Sequence, residues 1–286
     1  MTESSPLNAL TPAEQATGWQ LLFDGNSLKG WVNAHHQPAT GDAWAAQDGL
    51  LALESPMNGF GSIYTDRNFV NFDLKLEWKI APRGNSGVKY LLKRRPEPDW
   101  FASYQPPMLL AIITGLPAIL LLVLVFRRFS VFKRRLVFRS GLIAAALLAV
   151  IAAIGAYGMK RAWDSRYGLV GYEYQIADDA QESDARSAPS HSTAAVYDLI
   201  APLNKHLFPV GQFNETEIIV QGNHVEHWLN GYKVAEFNLG SPQLKQSLLS
   251  SKFRDIPDMN EKVIGPIMLQ NHGSQVWFRN IRIRPF

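Results

Sequence analysis

The 286 residues are 47% hydrophobic and 11% aromatic, a composition that excludes a disordered chain and suffices for one large β domain or two average ones. There is no cysteine, which excludes a disulfide framework and a thiolate metal site and leaves the redox compartment unread. The net charge of +3 is unevenly placed: residues 93–167 hold 12 Lys/Arg against 3 Asp/Glu, and the remainder holds 16 against 22. An acidic folded remainder repels phosphate backbones, so nucleic acid is not expected as a partner, whereas neutral sugars meet no such objection.

Residues 1–17 carry neither a basic stretch nor an apolar run and read as an N-terminal lead. From 18 to 92 the text is that of short strands between turn residues: WQLLF, LLALE, GSIYT, FDLKLEWKI and, after PRGNSG, VKYLL. In FDLKLEWKI the alternation of Phe72, Leu74, Leu76 and Trp78 predicts a half-buried antiparallel strand. The stretch 171–286 repeats this style with YEYQI, AVYDLI, TEIIVQGNHVEHWLNGYKVAEF, PIMLQNH and VWFRNIRIRPF. Gly222-Asn223 and Asn230-Gly231 predict consecutive hairpins within it. Many short strands with little helical periodicity predict an all-β sandwich or jelly roll, one domain split into 18–92 and 171–286.

Between these parts, 93–170 reads as an inserted helical hairpin. Residues 108–126 and 141–159 are uncharged runs of 19 residues, each long enough to cross a bilayer at about 1.5 Å per residue, so spans are expected at about 106–126 and 141–159. Their 14-residue connection holds six Lys/Arg and no acid, which predicts a cytoplasmic loop. A two-span protein of the bacterial inner membrane follows, with the sandwich on the periplasmic or outer side and the lipid bilayer as a partner.

No phosphate-cradling glycine loop, GxSxG elbow, HExxH or Cys/His metal spacing is present, so chemistry must be sought among polar residues on strands. Alternation places Glu173 with Gln175, and Gln270 with His272, on shared faces of otherwise apolar strands, where polar groups are costly unless they line a groove. Lys89 could lie opposite Glu173, as part of a site or as a plain salt bridge. His227 shares a face with Val225 and Leu229, which fits a satisfied core histidine as well as an acid/base. Asp178, Asp179, Glu182 and Asp184 form an acidic loop that could bind hydroxyls or a divalent cation or simply be solvated; no metal site and no cofactor is predicted.

The ordered series GWQLLFDGNSLKGW, DGLLAL, FGSIYTDRNFVNFDLKLEWKI, GNSGVKY, GYEYQIADD, VYDLI, GQFNETEIIVQGNHVEHWLNG and GPIMLQNHGSQVWFRNIRIRPF resembles the 3-keto-disaccharide hydrolase-like family, a concanavalin-like jelly roll. The resemblance spans 18–286 apart from about 94–170. It implies a carbohydrate substrate: a glycoside already oxidised to a ketone at C3, cleaved by C2 proton abstraction, elimination and hydration, with an oxidoreductase supplying the 3-keto sugar. A noncatalytic carbohydrate-binding or envelope-scaffold protein is the alternative. Carried over residue by residue, Glu173 would be base or acid, Lys89 the stabiliser of enolate charge and His227 the second proton carrier. Glu77, Asn85, Gln175, Asp178, Tyr197, Gln270 and His272 fall in matching motifs and would line the sugar site. The acidic loop lacks the histidine expected just before Asp184.

Overall fold

The computed structural model describes residues 7–39, 43–54, 61–94 and 169–286. The strands are β1 (Gln20–Leu21), β2 (Trp31–Val32), β3 (Trp44–Gln47), β4 (Leu50–Leu53), β5 (Ile63–Phe69), β6 (Phe72–Ile80), β7 (Asn85–Arg94), β8 (Leu169–Ala177), β9 (Asn214–Gln221), β10 (His224–Leu229), β11 (Tyr232–Asn238), β12 (Gly265–Leu269) and β13 (Val276–Pro285). They form two antiparallel sheets. The eight-stranded one runs β11-β10-β9-β6-β13-β4-β3, with β1 on β13; the five-stranded one runs β2-β5-β12-β7-β8. The expected all-β sandwich is what the described residues build.

Side-chain alternation decides which faces meet. Phe72, Leu74, Leu76 and Trp78 of β6 are at most 1% exposed, as the period of two predicts. Ile218 and Val220 of β9 and Val276 and Phe278 of β13 share that interior with Val88, Tyr90, Tyr172, Tyr174, Ile176, Ile267 and Leu269 from the smaller sheet. Each such side chain contributes roughly 1.5–3 kcal/mol by leaving water, so the register of both sheets is strongly specified. Polar atoms inside are satisfied: the Trp78 indole donates to Thr216 Oγ1 at 2.9 Å and Tyr172 Oη to the Met259 carbonyl at 2.6 Å. The predicted turn at Asn230-Gly231 closes the β10–β11 hairpin, with φ of 50° and 81° at the two residues, a pair of left-handed conformations that Asn and Gly tolerate.

β7 and β8 pair antiparallel although residues 95–168 intervene between them. The apolar runs 108–126 and 141–159, and with them the hairpin expected over 93–170, lie almost wholly outside the described residues; only its flanks are seen, as the ends of β7 and β8. Among the described residues no helix is long and apolar enough to cross a membrane.

Several expectations need correction. AVYDLI is not a strand: Val196 makes only isolated bridges to Tyr174 and Ile200, and the segment lies along the open edge of β8. WQLLF contributes only two strand residues, Gln20 and Leu21; Phe23 lies beyond the ladder in the core, and Trp19 packs under the outward charges of Lys75, Arg282 and Arg284. Two helices were not anticipated. α1 (Pro12–Ala16) starts at a capping box in which Thr11 and Glu14 bond reciprocally, and α2 (Pro242–Leu249) is capped by Ser241. Simple alternation in VKYLL would set Leu91 on the face of Lys89, but β7 carries an irregularity between Tyr90 and Lys93, where Leu91 has φ 49° and turns into the core.

Candidate active site

β7 and β8 send Val88, Tyr90, Tyr172, Tyr174 and Ile176 inward, and the alternation therefore puts Asn85, Gly87, Lys89, Glu173 and Gln175 on the face turned away from the sandwich interior. Lys89 and Glu173 are direct register partners, and Lys89 Nζ lies 3.1 Å from Glu173 Oε2. Glu173 is only 5% exposed, whereas the Lys89 side chain is 20% exposed, so the cation is the more accessible end of the pair. One residue makes room for this: a Cβ at Gly87 would stand 2.4 Å from Glu173 Oε1, so the carboxylate occupies space that only glycine leaves open.

Beside the pair lie three amides. Gln175 donates to Asn85 Oδ1 at 3.4 Å, and both residues are buried. Gln270 extends from the end of β12, its main-chain N–H bonded to the Gly87 carbonyl at 2.9 Å. The side-chain Oε1 atoms of Gln175 and Gln270 are buried with no hydrogen-bond partner. An unmade bond of this kind costs about 1–3 kcal/mol, an unusual expense for a wall with no structural need of amides.

The chain after β8 folds against the same strand. Tyr197 N–H donates to the Glu173 carbonyl at 3.0 Å, and Ala194 N–H to the Gln175 carbonyl at 2.8 Å. Tyr197 Oη donates to Asp184 Oδ2 at 2.7 Å, and its ring stacks on His191 with centroids 4.7 Å apart. Burial, then the Asp184 carboxylate and the charges of Glu173 and Asp198, raise the Tyr197 pKa far above that of an ordinary phenol, so its hydroxyl stays protonated. His191 bridges two acids, Nδ1 lying 3.0 Å from Asp184 Oδ1 and Nε2 2.9 Å from Asp198 Oδ1. Asp198 Oδ2 in turn accepts from Lys252 N–H at 2.8 Å, and Lys252 Nζ lies 3.9 Å from the centre of the Tyr197 ring. Lys252 as a whole is exposed, yet protein flanks its ammonium closely enough that desolvation lowers its pKa below that of an ordinary lysine. Glu173 opposes that shift, Lys89 adds to it, and Asp198 and Asp184 oppose it.

The residues expected at the site thus divide. Lys89, Glu173, Gln175, Asn85 and Gln270 share one wall and Tyr197 is tied to it, whereas His272 lies exposed in the turn after β12. Three others belong elsewhere. His227, expected as a proton carrier, is fully buried between the sheets, where Tyr90 Oη lies 2.7 Å from Nε2 and the Ala194 carbonyl 3.1 Å from Nδ1. Burial lowers its pKa to about 4, so it is a neutral core histidine. Glu77 lies on the outward face of the larger sheet, held by Arg279 at 2.7 Å and Asn280 at 2.6 Å. Asp178 is buried and accepts from the backbone N–H groups of Arg83, Ala180 and Gln181, tying a turn to the start of the loop. Asp179 and Glu182 likewise accept from backbone at Thr193 and Ala185, a third fate for an acidic loop beside cation binding and solvation.

Residues that the sequence reading did not single out are His191, Asp198 and Lys252. His191 reaches Asp184 from seven positions downstream, supplying a histidine where the position before Asp184 holds Ser183. Asp198 and Lys252 sit in irregular segments whose side-chain directions no periodicity announces. Among the described residues one grouping, away from this wall, has metal-like spacing, His224, Glu226 and Glu236 on β10 and β11, but the Lys233 ammonium lies between its two carboxylates.

Fold and site together define a two-sheet β sandwich that carries a lysine–carboxylate pair within a polar wall on its smaller sheet. Residues 18–110 and 158–284 match the model of the 3-keto-alpha-glucoside-1,2-lyase-like domain, and the chain belongs to that family. It is similar to a 3-keto-disaccharide hydrolase of Bacteroides thetaiotaomicron, with 23% identity over 300 aligned residues that cover 99% of this chain and 83% of that protein. Among solved structures it is similar to two candidate glycosyl hydrolases from Parabacteroides distasonis. One has 24% identity and a TM-score of 0.65, covering 98% of this chain and all of the other; the second has 20% identity and a TM-score of 0.55, covering 94% and 99%.

Proposed function

We propose that this protein cleaves the glycosidic bond of 3-keto-glycosides. The C3 ketone acidifies the hydrogen on C2, so a single general base suffices to start an elimination, and the paired-carboxylate geometry of ordinary glycosidases is not needed. In this reading Glu173 removes the C2 proton, the aglycone departs from C1, and water adds to the unsaturated sugar. The more accessible Lys89 ammonium faces the ketone oxygen and stabilises the charge that develops there. Gln175, Asn85, Gln270 and Tyr197 hold the sugar hydroxyls. The observation that carries the proposal is the Lys89–Glu173 contact of 3.1 Å, set beside two buried amide oxygens that lack partners. Family membership supports the substrate class, with an oxidoreductase that forms the ketone as the preceding reaction.

Incubation with a 3-keto-glucoside tests the reading: release of the aglycone by the wild type, lost in Glu173→Gln, is the expected result. Saturable binding of the sugar without turnover would instead favour a carbohydrate-binding role for the same wall. The two uncharged 19-residue runs support anchorage of the chain in a bilayer, with the sandwich on the outer side. The family match also omits 111–157, most of that stretch. Full-length protein should remain with carbonate-washed membranes, and its appearance in the supernatant would remove the anchor from the account.

A further inference from the structure

An elimination needs an acid as well as a base, because an alkoxide is a poor leaving group. Lys89 is engaged with Glu173, and His227, neutral and enclosed in the core, has no route to a ligand. A second cation reaches the wall from a different part of the chain. Lys252 lies just beyond α2, and three contacts fix its place. Its N–H is bonded to Asp198, its ammonium rests on the Tyr197 ring, and Tyr197 is bonded through its own N–H to the main chain of Glu173. Asp184 and Asp198 do not claim the ammonium, since His191 and Tyr197 take the Asp184 oxygens and His191 and Lys252 N–H take those of Asp198. The ammonium thus lies on an aromatic face beside the site, under the influence of Glu173, Lys89, Asp184 and Asp198.

We propose that Lys252 is a further catalytic residue of this site, the general acid that protonates the departing aglycone oxygen; this rests on reading the site as one that cleaves 3-keto-glycosides. In the elimination, a Glu173 oxygen takes the C2 hydrogen as a proton, and the C–H electron pair becomes the second bond of C1=C2. The C1–O bond breaks with its electron pair on the aglycone oxygen, which receives a proton from Lys252 Nζ. Glu173 is left as a carboxylic acid and Lys252 as a neutral amine. In the hydration, water oxygen bonds to C1 and gives a proton to the amine, while Glu173 returns its proton to C2, so both groups are restored and no oxidant or reductant is consumed. The depressed pKa of Lys252 supports this role, because an ammonium that loses its proton more easily serves as acid in one step and as base in the next.

The test compares two aglycones in the full-length protein. A nitrophenol leaves without a proton, and an alkyl alcohol does not. Lys252→Met should lower kcat/KM on an alkyl 3-keto-glucoside by about 10²-fold or more and on the nitrophenyl compound by far less. Lys252→Arg keeps the charge but cannot yield a proton, so it should be as impaired on the alkyl substrate as the methionine variant. Equal losses on both aglycones, recovery of alkyl cleavage by arginine, or no loss in either variant would each overturn the role of Lys252 while leaving the parent reading intact. A wild type inert on both compounds sinks the parent reading itself.

Discussion

The outward faces of the two sheets are built from the same residue types and are arranged to opposite ends. On the larger sheet the charges are matched: Arg279 with Glu77, Arg284 with Asp73, Lys75 with Glu217 and Arg282 with Glu14, with the Trp19 ring lying near Lys75, Arg282 and Arg284. Buried atoms without hydrogen bonds occur there too, at Asp73 Oδ1, Arg282 Nε and Arg284 Nε, but each belongs to a side chain already held in an ion pair. On the smaller sheet the carboxylate has one cation, the neighbouring amides keep unpaired oxygens, and a glycine leaves the space that the carboxylate fills. A glutamate on a strand is therefore no sign of chemistry by itself. Glu77 is held by an Arg and an Asn, whereas Glu173 has the single cation of Lys89 and fills the space that Gly87 leaves.

Variants sharpen that contrast. Glu173→Gln should lower kcat/KM on a 3-keto-glycoside by about 10³-fold with the fold intact, as expected on losing a general base. The core histidine gives the next largest effect, on stability. His227 has a folded pKa of about 4 against about 6.5 unfolded, so unfolding binds a proton between these values. Its contribution is complete above pH 6.5 and is lost as pH falls through 4, on the order of 3 kcal/mol. Urea midpoints from pH 7 to 4 should fall less steeply in His227→Gln than in the wild type; parallel curves would place the titration elsewhere.

Gly87→Ala should cost about 10²-fold in activity by displacing the end of Glu173, a flexible group that can move cheaply, and under about 1 kcal/mol in stability. A melting curve beside a rate assay separates the two. Smallest is Glu77→Gln, which should weaken the fold by about 1–2 kcal/mol through loss of charged bonds and leave catalysis within about twofold. Should Glu77→Gln prove the inactive variant, the two faces have been assigned the wrong way round.

Much of this was readable from the amino-acid order, and the limits have physical causes. The alternation in FDLKLEWKI fixes β6, and the same rule in VKYLL and YEYQI puts Lys89 and Glu173 outward, where they pair although residues 95–168 stand between them. That rule gives a residue's face and not its sheet, so Glu77 and Glu173 look alike in one dimension and lie on opposite sides of the sandwich. It also fails at Leu91, where the irregularity in β7 changes the phase. His191, Asp198 and Lys252 were illegible for another reason: His191 ends a three-residue 3₁₀ helix and the other two stand in turns, where direction is set by hydrogen bonds across long separations, such as Lys252 N–H to Asp198. For His227 the neighbours Val225 and Leu229 already pointed inward, and burial follows from that pattern.

The central claim is that the Lys89–Glu173 wall removes the hydrogen on C2 of a 3-keto-glycoside. Single-turnover cleavage of a substrate deuterated at C2 tests it most directly. Slower release of the aglycone than from the protio compound, or exchange of the C2 hydrogen with solvent, each abolished in Glu173→Gln, is the predicted result. Equal rates with no exchange would mean that the C2–H bond stays intact during cleavage, which contradicts the account.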